Sequence, residues 1–511
     1  MSLFRKLPVL ALAAASVSAA AAPPSRAATP PPELSALASG TGDPDVARFY
    51  ALRAWTPAWS PGEAQDLIAA LQGAERHGVN AGPLLFQIES SGGPAEREAN
   101  LTAAALSYAD VLAHGAADPT EFHEVFTLKR NRVDLAAGLD AALKAGGIER
   151  WLESLAPATP EYRALSDAYV EYRKVAEEDR PPEVGSGAAI RAGASDPRLP
   201  AIVALLAWKG YTEPPPLAGP VPPPPAPPPT VYSPGLVGLI ERFQADSRLE
   251  ADGIIGPATL EALNRGPADR ARQLALNMER WRWLDRAVPG DRIDVNVAAA
   301  RLDYYRRGVK TWSTRTVVGR SDWATPALGE TFDQLVINPP WNVPTSIAQK
   351  EILPRGPDYL ARNDMYVTNG RVVQRPGPNA ALGLVKFDMQ NPYAIYLHDT
   401  PSKAAFESDS RHRSHGCVRV QDAVGFARRL AQERGRGAEF EAALASGETQ
   451  ILKLGEAVAV RLLYQTAYLD GEAVVFTSDP YGRDAALGRA LGLEGSAVST
   501  SRSFAEILLG P

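Results

Sequence analysis

At 511 residues, with 45% hydrophobic and 22% charged side chains, the chain is long enough to bury several cores and to form about three domains. A formal net charge of -6 argues against a nucleic-acid binder, which carries a basic stripe, and a single cysteine excludes an intramolecular disulfide.

Arg5 and Lys6 precede an uncharged alanine- and leucine-rich run from Leu7 to Ala22, followed by Pro23 and Pro24. The run is shorter and weaker than a spanning helix of about 20 strongly apolar residues, so residues 1–28 read as an export signal. Small residues suit cleavage between Ala19 and Ala28, and no cysteine comes after the run to carry a lipid anchor. No later stretch reads as transmembrane, and the expected location is an exported compartment, the periplasm. Residues 29–190 predict a helical scaffold domain, with apolar residues at helical spacing in Ala64, Leu67, Ile68 and Leu71, and again in Leu135, Leu139 and Leu143. His77-Gly78 and His114-Gly115 read as helix ends, and Trp55 and Trp59 as anchors of a small core. His77, His114 and His123 stand apart from one another and read as surface or capping residues.

A smaller unit occupies residues 196–265. Leu199, Ile202, Val203 and Leu206 form one helical stripe closing at Gly210, and Leu236, Leu239, Ile240 and Phe243 form another. An insertion over 212–230 separates them; its proline tract, Pro214 to Pro229, cannot continue a helix and is expected to be extended and solvated. Beyond it, Phe243-Gln244 is succeeded by Ala251-Asp252-Gly253-Ile254-Ile255-Gly256-Pro257, in which the glycines suit tight turns and Pro257 suits a first helical position. This pattern resembles the three-helix peptidoglycan-binding module. The resemblance leaves open whether the module binds glycan or only positions the third unit of the chain.

Residues 270–494 read as that third unit. Arg270 to Leu284 predicts a helix, and strands are expected at Ile293–Val297, Leu302–Tyr305, Thr314–Val318 and Gln334–Ile337, with a hairpin turn at Gly308. Residues 345–375 lack regular alternation and carry Pro354, Gly356, Pro357 and Gly370, as a mobile lid or a static surface excursion would. The alternation of Tyr393, Ile395 and Leu397 predicts a strand ending at His398. A helix over Ala423–Leu430 and strands at Val458–Leu463 and Val474–Phe476 complete a mostly β domain, and 495–511 is a tail. The fold class is therefore a multidomain α+β chain: helical scaffold, small three-helix module, mostly β domain with an insertion.

Chemistry concentrates around Cys417, the only cysteine, with His398, His412 and His415, half of the six histidines, just before it. A thiol becomes a useful nucleophile when a base or positive field raises its thiolate fraction, and His398 at a strand end is the candidate base. Gly416 allows close backbone approach, so its N–H and that of Cys417 are candidate oxyanion donors. Arg411, Arg413 and Arg419 add charge that could lower the thiol pKa or hold a substrate carboxylate. An alternative is metal binding, since His398, His412, His415 and Cys417 supply four N/S ligands, but their spacing matches no common zinc pattern.

His398 followed by Ser414-His415-Gly416-Cys417 and then Arg419 resembles the L,D-transpeptidases, the YkuD-type catalytic domain. The resemblance implies that Cys417 is the nucleophile and His398 the general base and later acid. It gives Gly416, with Cys417, the oxyanion, and Ser414 and His415 positioning roles, with Arg419 on the substrate side. Asn338-Pro339-Pro340-Trp341-Asn342-Val343-Pro344 and Pro376-Gly377-Pro378-Asn379 look like the YcbB-like subgroup, in which residues about 345–375 would form a capping insertion. The amino-terminal helices resemble that subgroup as well; one departure is Ala380, where the subgroup often has asparagine. The implied activity joins peptidoglycan tetrapeptide stems, as donor and acceptor, through a cysteine thioester into diaminopimelate-to-diaminopimelate cross-links, without metal or cofactor. Carbapenems are the implied covalent inhibitors. Two alternatives stand beside it: an L,D-carboxypeptidase or endopeptidase using the same pair, and a non-catalytic peptidoglycan-binding scaffold.

Overall fold

The computed structural model describes residues 32–40, 43–176, 182–212, 230–247, 249–408 and 410–493. The expected export signal (1–28), most of the proline-rich insertion and the tail (495–511) lie outside the described residues. What is described is a mixed helix–sheet protein: a helical N-terminal region, a small helical module and a β-rich domain.

The N-terminal helices begin where the sequence supplies caps. Ser60 accepts from the Glu63 N–H while Glu63 returns a bond to the Ser60 N–H, and Pro61 takes the first helical position of Pro61–Gln72. The helix Pro94–His114 runs through the centre, buried on nearly every side, because Ala104, Ala105, Ala109 and Ala113 let neighbours approach closely. His77 and His123 depart from the surface roles expected of them. His77 is buried with Nδ1 at 3.1 Å from the Tyr162 hydroxyl. His123 is buried among Phe126, Trp283 and Tyr464, and that burial pushes its pKa down to about 2. No helix among the described residues is long and apolar enough to cross a membrane.

The helix Pro267–Arg282, which the sequence places at the start of the β-rich unit, packs against Pro160–Ala176 and lends Leu274, Met278 and Trp281 to the helical core. It carries a buried ion pair, Glu279 with Arg282 at 2.7 Å. Glu279 also accepts from the Ala117 N–H (2.9 Å) and the Trp283 indole (3.0 Å), while Arg282 donates to the His77 carbonyl (2.8 Å) and Tyr162 (3.2 Å). The same helix also reaches the β-rich domain, where Gln273 donates to the Thr466 carbonyl at 2.9 Å and Arg280 pairs with Asp484 at 2.6 Å.

Three helices, Leu199–Trp208, Pro234–Asp246 and Pro257–Asn264, form the module around Leu206, Ile240, Phe243 and Leu263. Gln244 is buried and serves as its clasp: its amide donates to Asp252 Oδ1 and the Ile254 carbonyl, both at 3.0 Å, and its oxygen accepts from Gly253 N–H at 2.9 Å. Gly253 sits at φ +66°, and a Cβ there would stand 2.8 Å from Val237 Cγ1, so the Asp-Gly turn requires glycine on both counts.

The β-rich domain is built on β1 (Arg292–Asn296), β2 (Arg301–Arg306), β3 (Val309–Gly319), β4 (Gly329–Ile337), β5 (Trp341–Asn342), β6 (Met365–Thr368) and β7 (Arg371–Gln374). It continues with β8 (Val385–Phe387), β9 (Leu397–His398), β10 (His412–Ser414), β11 (Val418–Val420), β12 (Gln450–Leu463), β13 (Ala467–Asp470) and β14 (Ala473–Phe476). The main sheet has the order β10-β3-β11-β9-β8-β4-β12-β1-β2, and β2 also pairs with β3, so the order closes into a ring. Alternation puts Val295, Leu302, Leu335, Val385, Leu397, Val418 and Val460 inside, packed on Phe426 of the helix Ala423–Glu433.

The strand expected over Tyr393–Leu397 is shorter than its alternation suggests. Asn391 Oδ1 accepts from the N–H groups of Tyr393 and Ile395, both at 3.2 Å, and Ala394 takes φ +54°, so residues 391–394 turn and only Leu397–His398 is strand. The region expected as an irregular lid is instead a small folded cap. β5, β7 and β6 form a three-stranded sheet, and Val343, Ile347, Ile352, Met365 and Val372 give it a core of its own.

Candidate active site

β9 and β11 pair in parallel with Leu397 opposite Val418 and His398 opposite Arg419. Because Leu397 and Val418 point into the core, the residues that alternate with them, Tyr396, His398, Cys417 and Arg419, share the other face. Lys386 of β8 joins them, directly opposite His398. Residues 21 positions apart in the sequence thus become partners on adjacent strands through register alone, and His398 and Cys417 come to the same face.

His398 is buried, and its Nδ1 lies 2.5 Å from the Asp399 carbonyl. A carbonyl only accepts, so Nδ1 carries the proton and Nε2 is left as the basic nitrogen. Asp399 is itself fixed: Oδ2 accepts from Leu384 N–H at 3.0 Å and Oδ1 meets Lys403 Nζ at 2.5 Å. Gly383 lies so close to the Asp399 carboxylate that no Cβ fits, which ties this glycine to the support of the histidine. Burial first, then the charges of Arg419 and Lys386, push the imidazole down to about 3.

Cys417 is half-buried, with its thiol donating to the Ala394 carbonyl at 3.4 Å. Burial raises the thiol above its ordinary value; the Tyr396 backbone and hydroxyl, Lys386 and Arg419 pull it the other way without prevailing. Both directions favour the uncharged thiol and the uncharged imidazole. Of the three arginines expected to act on the sulfur, Arg411 is committed to the Ala299 and Ser408 carbonyls and Arg413 to Ser408 Oγ. Of the three, only Arg419 bears on Cys417, and its buried Nε has no hydrogen-bond partner among the described residues.

The loop before the thiol is braced from several directions. Gly416 takes φ +107°, with the Ile395 side chain 3.0 Å from where a Cβ would stand. Its N–H donates to Ser414 Oγ at 3.2 Å, and Ser414 Oγ donates to the Cys417 carbonyl at 2.6 Å. Of the two amides expected to face an oxyanion, that of Gly416 is thus occupied by Ser414, and the Cys417 N–H is the one without a partner among the described residues. Thr325 Oγ1 donates to the Gly416 carbonyl at 2.8 Å, and Tyr481, which donates to Gly319 O at 2.6 Å, holds the Thr325 N–H. His415 turns away from the sulfur: Nε2 meets Glu351 Oε1 of the cap at 2.7 Å, and its ring stands edge-on to Trp323. His412 bonds the Val297 carbonyl at 3.0 Å. The four candidate metal ligands therefore diverge, and among the described residues no group of three or more His, Cys, Asp or Glu is placed to hold a metal ion.

Sequence reasoning gave no role to Tyr396, Lys386, Asp399, Thr325 or Glu351. Lys386 and Tyr396 had a signal: each alternates with core residues, Val385 and Phe387 or Ile395 and Leu397, and so belongs to the outer face. Lys386 Nζ lies 4.6 Å from the centre of the Tyr396 ring. Thr325 and Glu351 reach the site through tertiary packing alone.

Three family matches cover most of the described chain. Residues 290–449 match the YkuD family, described as "L,D-transpeptidase catalytic domain"; residues 44–168 match a "Scaffold domain"; residues 195–263 match a "Putative peptidoglycan binding domain". A protein of Haemophilus influenzae named "Putative L,D-transpeptidase" is 31% identical over 238 residues, 42% of this chain and 48% of the relative, so the match spans about half of that relative's length. Among solved structures, the avibactam carbamoyl enzyme of Ldtfm shares 12% identity at a TM-score of 0.20, over 35% of this chain and 51% of that one. An L,D-transpeptidase fragment from Xylanimonas cellulosilytica shares 14% at a TM-score of 0.16, over 56% of this chain and all of that one. The β-rich part of this chain is an L,D-transpeptidase catalytic domain of the YkuD family, carried together with a peptidoglycan-binding domain.

Proposed function

We propose that the chain is a cysteine-dependent L,D-transpeptidase, of the YcbB-like kind, that cross-links peptidoglycan stems outside the cytoplasmic membrane. The observation that carries this reading is the register of β9 and β11, which sets an imidazole with a free basic nitrogen on the same sheet face as the only thiol. Cys417 attacks the carbonyl between the L-centre of diaminopimelate and the terminal D-alanine of a donor tetrapeptide stem. Its proton passes to His398 Nε2 and on to the departing D-alanine amine; a C–S bond forms and a C–N bond breaks. The side-chain amine of a second stem then attacks the thioester, a new C–N bond forms as the C–S bond breaks, and the amine's proton returns through His398 to the departing sulfur. Arg419 supplies a cation for a substrate carboxylate, the Cys417 N–H faces the oxyanion, and Ser414 and His415 position the loop. Because both partners start neutral, the thiol loses its proton during attack and not before it.

Analysis of products from isolated tetrapeptide muropeptides tests this reading. Wild type is expected to release D-alanine and yield cross-linked dimers, and Cys417→Ala to yield none. Tripeptide without dimer would make the protein a carboxypeptidase, and dimers from Cys417→Ala would remove the thiol from the reaction.

A further inference from the structure

A cleft of about 1050 Å³ lies between the peptidoglycan-binding domain and the catalytic domain. Five arginines line it, Arg265, Arg270, Arg315, Arg320 and Arg411, against three carboxylates, Glu250, Glu261 and Glu407. Two of those carboxylates are committed, Glu261 to Arg265 and Glu407 to Arg315, both at 2.5 Å, and Arg320 pairs with Asp322 at 2.7 Å. Arg270 is different. Its Nη1 donates to Gln273 Oε1 at 3.1 Å and its guanidinium lies 4.4 Å from the centre of the Phe476 ring, but it makes no ion pair among the described residues. Burial, and then Arg265 nearby, lower its pKa, so the positive charge is held there at a cost that a bound anion would offset.

The cleft reaches the start of the loop that carries Cys417. His412 of β10 lines it, the Arg320 N–H donates to the Ser414 carbonyl at 3.1 Å, and Arg320 Nη1 is 3.4 Å from His415 Nε2. The cap reaches the same loop through Glu351 and Trp323. A transpeptidase must bring two chains to one sulfur. Resting on the transpeptidase reading, we propose that this cleft holds the acceptor: a wall peptide strand whose free carboxylates pair with Arg270 while its amine reaches the Cys417 thioester. Phe476 beneath the guanidinium keeps its plane fixed for a two-point carboxylate contact.

The test uses the full chain with one tetrapeptide as donor and a separate, labelled tripeptide stem as acceptor, reading acyl-enzyme and dimer in the same samples. Arg270→Gln is expected to raise the acceptor KM about tenfold, with acyl-enzyme still formed from the donor, and Arg270→Lys, which keeps the charge but loses the two-point contact, to fall between the two. Glu250→Lys, which reverses an exposed carboxylate in the cleft wall and does not disturb a core, is expected to lower the acceptor KM. Acceptor KM unmoved in both Arg270→Gln and Glu250→Lys, or acyl-enzyme and dimer falling together, would overturn the proposal. Wild type that acylates but never forms dimer defeats the transpeptidase reading and this one with it; wild-type dimers matched by both variants defeat the cleft alone.

Discussion

Replacing His398 with glutamine is expected to slow acylation of Cys417 by roughly 10²- to 10⁴-fold while leaving the fold intact, because in the proposed mechanism the loss is that of a positioned general base. Glutamine can keep a donor toward the Asp399 carbonyl, so the strand end should hold. The accompanying pH profile is more specific. An imidazole at its ordinary value of 6.5 would give an acid limb near that pH; with His398 pushed down to about 3, the base stays unprotonated well below it. Wild-type acylation rates are therefore expected to show no inflection near pH 6.5 and to fall only in strong acid. Stopped-flow or mass-resolved acylation across pH 4 to 8 checks this, and a clear midpoint close to 6.5 would mean that burial does not govern His398 as the structure indicates.

Replacing Glu279 with leucine is expected to destabilise the protein by about 3–5 kcal/mol, because it strands the Arg282 charge in a site where both partners are almost wholly buried. It also leaves the Ala117 N–H and the Trp283 indole without their acceptor. The double variant Glu279→Leu with Arg282→Met, which removes the stranded charge, is expected to recover part of the loss. Chemical denaturation monitored by tryptophan fluorescence reads both. A loss below about 1 kcal/mol for the single variant would mean that the Glu279–Arg282 pair does not hold the helix Pro267–Arg282 to the helical region as its contacts indicate.

Local pattern carried the sequence a long way. The strands around Ile293, Leu302 and Val460 alternate, and the hairpin turn at Gly308 pairs with Arg307 in the left-handed region, as a two-residue turn demands. The module's Asp252-Gly253 turn and Pro257 helix start lie where composition puts them. The cap was legible too: Asn369-Gly370, both at positive φ, is a strong hairpin signal between Met365–Thr368 and Arg371–Gln374, and the nearby prolines masked it.

Other features were beyond reach for physical reasons. Alternation at Tyr393 and Ile395 mimics a strand, but Asn391 bonds the backbone locally and turns the chain instead. Burial of His77 and His123 depends on which helices meet, which no single segment states. The site shows the same division. Cys417, His398 and the glycine between Ser414-His415 and the thiol stand out as residues, yet the parallel pairing of β9 with β11 is a non-local choice, and so is the engagement of His415 by Glu351 of the cap. The direction of the thiol's shift was equally hidden, since three nearby arginines suggest a lowered value and only tertiary structure reveals that two of them face elsewhere.

Intact-protein mass spectrometry after incubation with a carbapenem, on wild type and Cys417→Ala side by side, tests the central claim most directly. One covalent adduct on wild type, mapping to the peptide containing Cys417, and none on the variant is the result expected of a nucleophilic thiol beside a basic imidazole. An unmodified wild-type mass, or an adduct that persists in Cys417→Ala, would contradict it.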